Sequence, residues 1–548
     1  MPLEKRAVKL TDIEGLYPNI DARRIEQPHI LKGRNFIWSF DGPYSGLGYG
    51  LLSADSDEDV KLGAAEYIQY IDLEGLLLVL CSTGVYEYDP VARTYTQLHA
   101  LTATQFTKMY KWTYARVGLF YYISHPGLNV PDADTGTILK IDISDKTITE
   151  ITDSVPVGAM ALTSSRGRLI VLGDNQYSWS GLDDGSNLTP SLVTGAGAQG
   201  LSIIGGTPYT LERTANGFFV FTSEGILIAR YYQGPGVFIH RVLQDDIWLV
   251  NHLCAVNIGV YNIVILTNKG LMLSTGELFE RYAEIISDHF ENELYHNIST
   301  NPEFLNYALA FDPLRSQLYV SNSLNNGNTY YSKALVQHTI IERWGSLDEP
   351  HHLFSYANLF SFTNQSGQLC AFNNSVSRRT REGTEDAVAS LGSSIVIGPF
   401  RFVDQQLVNE LALVQQLVIA DGNVFGQEEE DWGFDVDHND KTAEEEDWND
   451  DNRFTTPFDD EDWGFNIKAA NAYDVKLTGS IDAIDEYDSV NSADTSLLPQ
   501  MSSIRQKYYA CDVSGIYFTI EITTNADTQS NWELKVIELS GQTIGRMY

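Results

Sequence analysis

The densest chemistry in the sequence lies between residues 428 and 465. There one phrase, acids closing on a tryptophan, occurs three times: EEEDW at 428–432, EEEDW at 444–448 and DDEDW at 459–463. The stretch holds 17 Asp and Glu against Lys441 and Arg453. Carboxylates at this density allow three readings. The first is a cation site. Asp435, Asp437, Asn439 and Glu446 stand at positions 1, 3, 5 and 12 of an EF-hand-like calcium loop, but position 6 is Asp440 where a sharp turn needs Gly, and no clear helix flanks it. The second is a solvated linker held extended by its own repulsion. In the third, Trp432, Trp448 and Trp463 dock on the protein or a neighbouring subunit. The acids Glu428, Glu429, Glu430, Asp431, Glu444, Glu445, Glu446, Asp447, Asp459, Asp460, Glu461 and Asp462 then stay wet and face a channel or tip.

Elsewhere the residues for catalysis are sparse. The sequence has no G-x-S-x-G, no H-E-x-x-H and no P-loop. GAGAQG at 195–200 carries no Lys and opens no helix, so it reads as a loop. His351 and His352 are adjacent, and neighbours on a strand point to opposite faces, which disfavours a shared metal. With 73 acidic residues no carboxylate pair stands out as a glycosidase pair. Trp112, Trp179 and Trp248 could stack on sugars or fill a core. No enzyme activity and no cofactor are expected.

The elements that must position these residues are strands. Tyr and Phe number 30 and 24, and short apolar runs are broken by Gly, Asn, Asp and Ser. YIQYIDLEGLLLVLCSTGVYEYDPVARTYTQL (67–98) shows the unit: strand, tight turn, strand, turn, strand. The same rhythm recurs over 111–151, 159–185, 209–232, 248–276, 305–347 and 351–372. Six or seven units of this length predict an all-β fold, a β-propeller spanning 51–395. Residues 1–50 read as an extended N-terminal arm that gives one strand to the closing blade. A helix is expected over 281–298, where Ile285, Ile286, Phe290, Leu294 and Ile298 fall near one face. Longer alternating strands follow, predicting a C-terminal β-sandwich over 396–548 that carries the acidic insert at about 424–467.

Composition narrows the function classes. The formal net charge is −37, so the surface repels nucleic-acid phosphates and anionic lipid. No apolar run is long enough to cross a bilayer, and no secretion signal opens the chain. Cys81, Cys254, Cys370 and Cys511 are scattered and read as reduced, mostly buried thiols of a protein made in a cytoplasm.

The order of parts resembles one family. An arm with FIWSFDGPYSGLGYG (36–50), blade units including RGRLIVLGDNQYSWSGLDDG (166–185) and GFFVFTSEGI (217–226), and an IGPFRF junction (397–402) into a terminal sandwich are similar to the β-propeller hub or nozzle proteins of short-tailed bacteriophage tails. The resemblance implies a virion protein assembled in the host cytoplasm. It implies a homo-oligomer, a hexameric ring around the DNA channel, attached to a tail adaptor or tube protein and to tail fibres or spikes. Double-stranded DNA would pass without specific binding. The alternative is a carbohydrate-binding or polysaccharide-degrading propeller.

Overall fold

The computed structural model describes the chain apart from residues 1–3, 10–14, 17–28, 41, 46–47, 63–67, 102–109, 131–132, 235, 275, 277, 284–306, 323–329, 365, 373–376, 383–384, 391, 401–409, 422–472, 481–490, 495–498, 504–505, 516, 525–533 and 547–548. Strand is the dominant structure of the described residues, with one short α-helix among them, Ser56–Leu62.

Seven sheets follow one another along the chain, each beginning with three or four antiparallel strands in sequence order. Blade 1 covers residues 69–100, blade 2 113–151, blade 3 161–200, blade 4 208–244, blade 5 255–281, blade 6 307–347 and blade 7 351–372. From blade 2 round to blade 1 the first strand of each blade lies beside that of the next, and blade 1 meets blade 2 where the Trp112 amide donates to Gln69 Oε1 at 2.9 Å, so the sheets stand radially around an axis. The ring closes between blade 7 and blade 1, where the Tyr70 amide donates to Ser355 Oγ at 3.2 Å and the Tyr70 hydroxyl to Asn358 Oδ1 at 2.7 Å. The chain is therefore an all-β, seven-bladed propeller.

Local sequence explains the blades. Second strands such as Leu76–Cys81, Gly217–Thr222 and Ile263–Thr267 are buried at every position, because both faces pack against neighbouring blades. The outermost strand of blade 2, Thr147–Ile151, is mostly exposed and correspondingly polar. In blade 1 the first hairpin turns on Glu74 and Gly75 alone, with φ of 54° and 96°. Positive φ at both central residues is the turn whose twist matches paired strands.

Blades 6 and 7 take in strands from distant chain. Phe36–Trp38 and Pro43–Ser45 extend blade 6 as fifth and sixth strands, and Tyr49–Leu51 pairs with Leu369–Phe372 as the fourth strand of blade 7. The arm thus gives three strands to the propeller rather than one. It gives two more to a pair of five-stranded sheets: Glu4–Lys9 pairs with Leu534–Arg546, and His29–Arg34 with Ser394–Phe400. These two sheets form the C-terminal sandwich. On its strand Tyr517–Thr524, Phe518, Ile520 and Ile522 are fully buried. They share one apolar core with Ile395, Ile397 and the arm residues Ile30, Phe36 and Trp38.

One expectation is overturned. Gly197–Gly200, within the segment expected to be a loop, is the outer strand of blade 3. Gly197 is required there, since a Cβ would lie 2.4 Å from the Trp179 ring. The helix expected at 281–298 lies outside the described residues except at its start, where Arg281 ends the strand Phe279–Arg281.

Candidate functional site

The sheet geometry gives the propeller two faces and an axis. First strands all run the same way, so the first–second and third–fourth turns of every blade share one face, termed the hairpin face. The second–third turns and the blade-to-blade links share the other, the link face.

The axis is bridged from the link side. Lys111, just before the first strand of blade 2, reaches Glu212 Oε1 on the first strand of blade 4 at 3.1 Å and donates to the Ala255 carbonyl of blade 5 at 2.9 Å. The other Glu212 oxygen accepts from the Asn257 amide. Blades 2 and 5 stand opposite each other in a ring of seven, so this side chain crosses the centre. Tyr110 crosses beside it, its ring 3.8 Å from that of His252, which also meets the Tyr209 ring at 4.6 Å. His125 lies under the same group, 4.7 Å from the Trp112 ring.

Both axial imidazoles are neutral. Burial pushes His125 down to about 3, against the opposing backbone of Tyr110, and His252 down to about 4. His125 Nδ1 accepts from the Gly127 amide at 2.9 Å, and His252 Nδ1 bonds to the Tyr209 carbonyl at 2.9 Å. Glu212 spends both oxygens on Lys111 and Asn257. The cluster acts as a strut: its ionic pair and its aromatics are committed to each other.

The two faces differ in chemistry. Every blade puts an exposed apolar side chain on the hairpin face: Val91, Leu119, Val193, Tyr232, Val260, Ile340 and Leu359 in blade order. Val193 is 96% and Val91 92% exposed. Phe40, on the arm hairpin that extends blade 6, joins them with its ring 4.7 Å from His338. Acids here are interleaved with bases. Glu74 pairs with Arg116, Asp145 neighbours Lys146, and Asp312 is held by Arg315 at 2.8 Å. The link face carries exposed Asp134, Asp153, Asp174, Glu224, Asp245 and Asp246, with Lys61 and Lys269 as exposed bases, and fewer exposed apolar side chains among its described residues: Val60, Val130, Val157 and Ile203.

The sequence-predicted site residues fare unevenly. The whole acidic insert, from Glu428 to Asp462 with Trp432, Trp448 and Trp463 and the calcium-spaced Asp435, Asp437, Asn439 and Glu446, lies outside the described residues. Trp112 and Trp179 are blade core at 2% and 8% exposure, which removes them as sugar-stacking platforms; Trp248 is half-buried. His351 is fully buried and committed, Nε2 to Ser321 Oγ at 2.8 Å and Nδ1 to the Glu349 carbonyl at 2.7 Å. Among the described residues no group of His, Cys, Asp and Glu could hold a metal. Cys81, Cys254 and Cys370 are free, buried thiols that burial pushes upward, away from reactive thiolate.

No family model matches the chain, and no curated protein is significantly similar to it. Solved structures do resemble it. One is YCF48 bound to D1 peptide, at 11% identity and TM-score 0.34, covering 57% of this chain and 94% of that one. Another is a quinonprotein alcohol dehydrogenase-like protein from Bacteroides thetaiotaomicron, at 12% identity and TM-score 0.31, covering 52% and 65%. A third is the AfRom2 CNH domain, at 6% identity and TM-score 0.34, covering 57% and 98%.

Proposed function

We propose that the chain is a structural virion protein, a subunit of the hub or nozzle ring of a short-tailed phage. In this reading it forms part of the DNA ejection channel and anchors neighbouring tail proteins or fibres. The observation that carries the reading is the bridged axis. An axial tunnel is the concave site a propeller offers a small ligand, and here Tyr110 and Lys111 fill it with groups that already satisfy one another. Work is left to the outer surfaces, which suits an assembly part. DNA would run through the lumen between copies, not through a single propeller. A charge of −37 per copy, repeated around that lumen, keeps phosphates from settling on the wall. The arm threaded through four sheets adds the rigidity a ring under load needs.

Light scattering on the purified protein, with negative-stain images of the same peak, tests the reading. A large species with a central hole is expected. A monomer at all concentrations, alone and with tail components, counts against it.

A further inference from the structure

We infer that the hairpin face of the propeller is a surface through which copies of this chain meet. The inference rests on the ring reading for its occupant and adds one of the two patches that a closed ring of more than two copies needs.

Two observations point to the same surface. The first is apolar exposure. Leu119, Val193, Val260 and Ile340 are 77%, 96%, 82% and 62% exposed, on turns of blades 2, 3, 5 and 6, and all fall on the hairpin face. Turn tips are normally polar, so apolar tips from every blade on one face form a distributed patch of the kind that marks a contact surface. The second is charge. Copies carrying −37 each repel, and they can approach only where the local charges cancel. On the hairpin face Glu74 is answered by Arg116, Asp145 neighbours Lys146, and exposed Asp183 and Asp184 share the face with exposed Arg166. The link face, with Asp153, Asp174, Glu224, Asp245 and Asp246 exposed, would set carboxylates of one copy against the acidic surface of the next. Burying them unpaired is costly. A basic partner would choose the link face. A second copy of an acidic chain is best received by the apolar, charge-balanced one.

The experiment compares two sets of variants in the full chain. Leu119→Asp, Val193→Asp and Val260→Asp are combined on the hairpin face, and Val157→Asp with Ile203→Asp serve as link-face controls. These side chains are exposed, so circular dichroism and melting should match wild type. Mass by light scattering over a dilution series is the readout. The expected result is a wild-type oligomer that the hairpin-face set dissociates, with the self-association midpoint rising about tenfold per substitution, while the controls leave it intact. A wild-type oligomer that the hairpin-face set leaves whole, or that the controls dissociate, overturns the inference and leaves the ring reading standing. A wild type that stays monomeric, with and without tail components, overturns the ring reading itself. A hairpin-face set that loses only the binding of some other protein, with the oligomer unchanged, assigns the face to that protein and overturns the second-copy occupant.

Discussion

Blades 1–5 and blades 6–7 reach the same architecture by different routes. In the first five, every strand pairs with its neighbour in sequence, across a turn or a local loop. In the last two, strands from residues 36–51, about three hundred positions upstream, join the sheets: two outside the four consecutive strands of blade 6, and one in blade 7 between Leu369–Phe372 and the hairpin strands Ser377–Glu382 and Glu385–Ser390. A ring needs a closure, and a closure made from the distant arm ties the first and last parts of the chain together. Its entropic cost grows only slowly with loop length, but folding through such non-local contacts is slow. The early blades carry the local stability; the arm decides whether the ring shuts.

The strongest way to break this contrast is at Trp38. It is 2% exposed, and its indole N–H donates to the Trp344 carbonyl of blade 6 at 2.7 Å. Trp38→Ala removes a large buried ring and its hydrogen bond, and should cost about 3–5 kcal/mol in urea unfolding. If the arm strands were an ornament on a ring already closed, the loss would stay under about 1 kcal/mol.

Asn35 sharpens the same comparison. It sits at φ 50° between the sandwich strand His29–Arg34 and the blade strand Phe36–Trp38. Its amide donates to the Gly392 carbonyl at 2.9 Å, its side-chain oxygen accepts from the Asp348 amide at 2.7 Å, and its own carbonyl accepts from Ser393 Oγ at 2.6 Å. One residue therefore ties the arm, the link between blades 6 and 7, and the entry to the sandwich. Asn35→Ala removes two part-buried hydrogen bonds and leaves a left-handed position to alanine, for about 2 kcal/mol. Asn35→Gly, which keeps the conformation easy, should recover part of that loss; the difference between the two midpoints isolates the cost of the left-handed backbone, and the loss that remains in Asn35→Gly reports the hydrogen bonds.

Acid separates the seam from the axis. Burial lowers His351 at the seam of blades 6 and 7 to about 3, and His125 and His252 at the axis to about 3 and 4. Their unfolded value is about 6.5. Below that pH the unfolded chain binds protons that the folded protein refuses. The stabilisation from neutral burial is complete above about pH 6.5 and drains as pH falls toward 3–4, at about 1.4 kcal/mol per histidine per pH unit. Urea midpoints at pH 7, 6 and 5 should fall steeply. His351→Gln should flatten the slope by one histidine's share, and an unchanged slope would show that His351 is not neutral by burial.

How much of this was legible follows from where partners lie. The blade rhythm could be read because each hairpin is local: DLEGLL and SRGRL announce their own turns, and Leu76–Cys81 announces burial on both sides. The arm strands were hidden because nothing local distinguishes FIW from any short apolar run; its partner strand is at 343–347. GAGAQG misled because its strand pairs through backbone, with side chains almost absent so that Trp179 can lie against it. The axial strut was also invisible. Lys111, Glu212 and Asn257 share no motif, and only ring closure brings blades 2, 4 and 5 to one centre.

The smallest predicted effect lies in the early blades and tests whether they tolerate local damage. Gly75 has φ 96° and a Cβ there would meet nothing within 4 Å. Gly75→Ala therefore carries no clash, only the penalty of positive φ, about 1 kcal/mol. The turn's other support survives, since the Gly75 amide still donates to Asp72 Oδ1 at 2.7 Å. Blade 1 should keep its register and the ring its closure, with a modest shift of the urea midpoint and no change in cooperativity. Were Gly75→Ala to match Trp38→Ala in cost, local turns and distant closure would be equally limiting, and the division between early and late blades would fail.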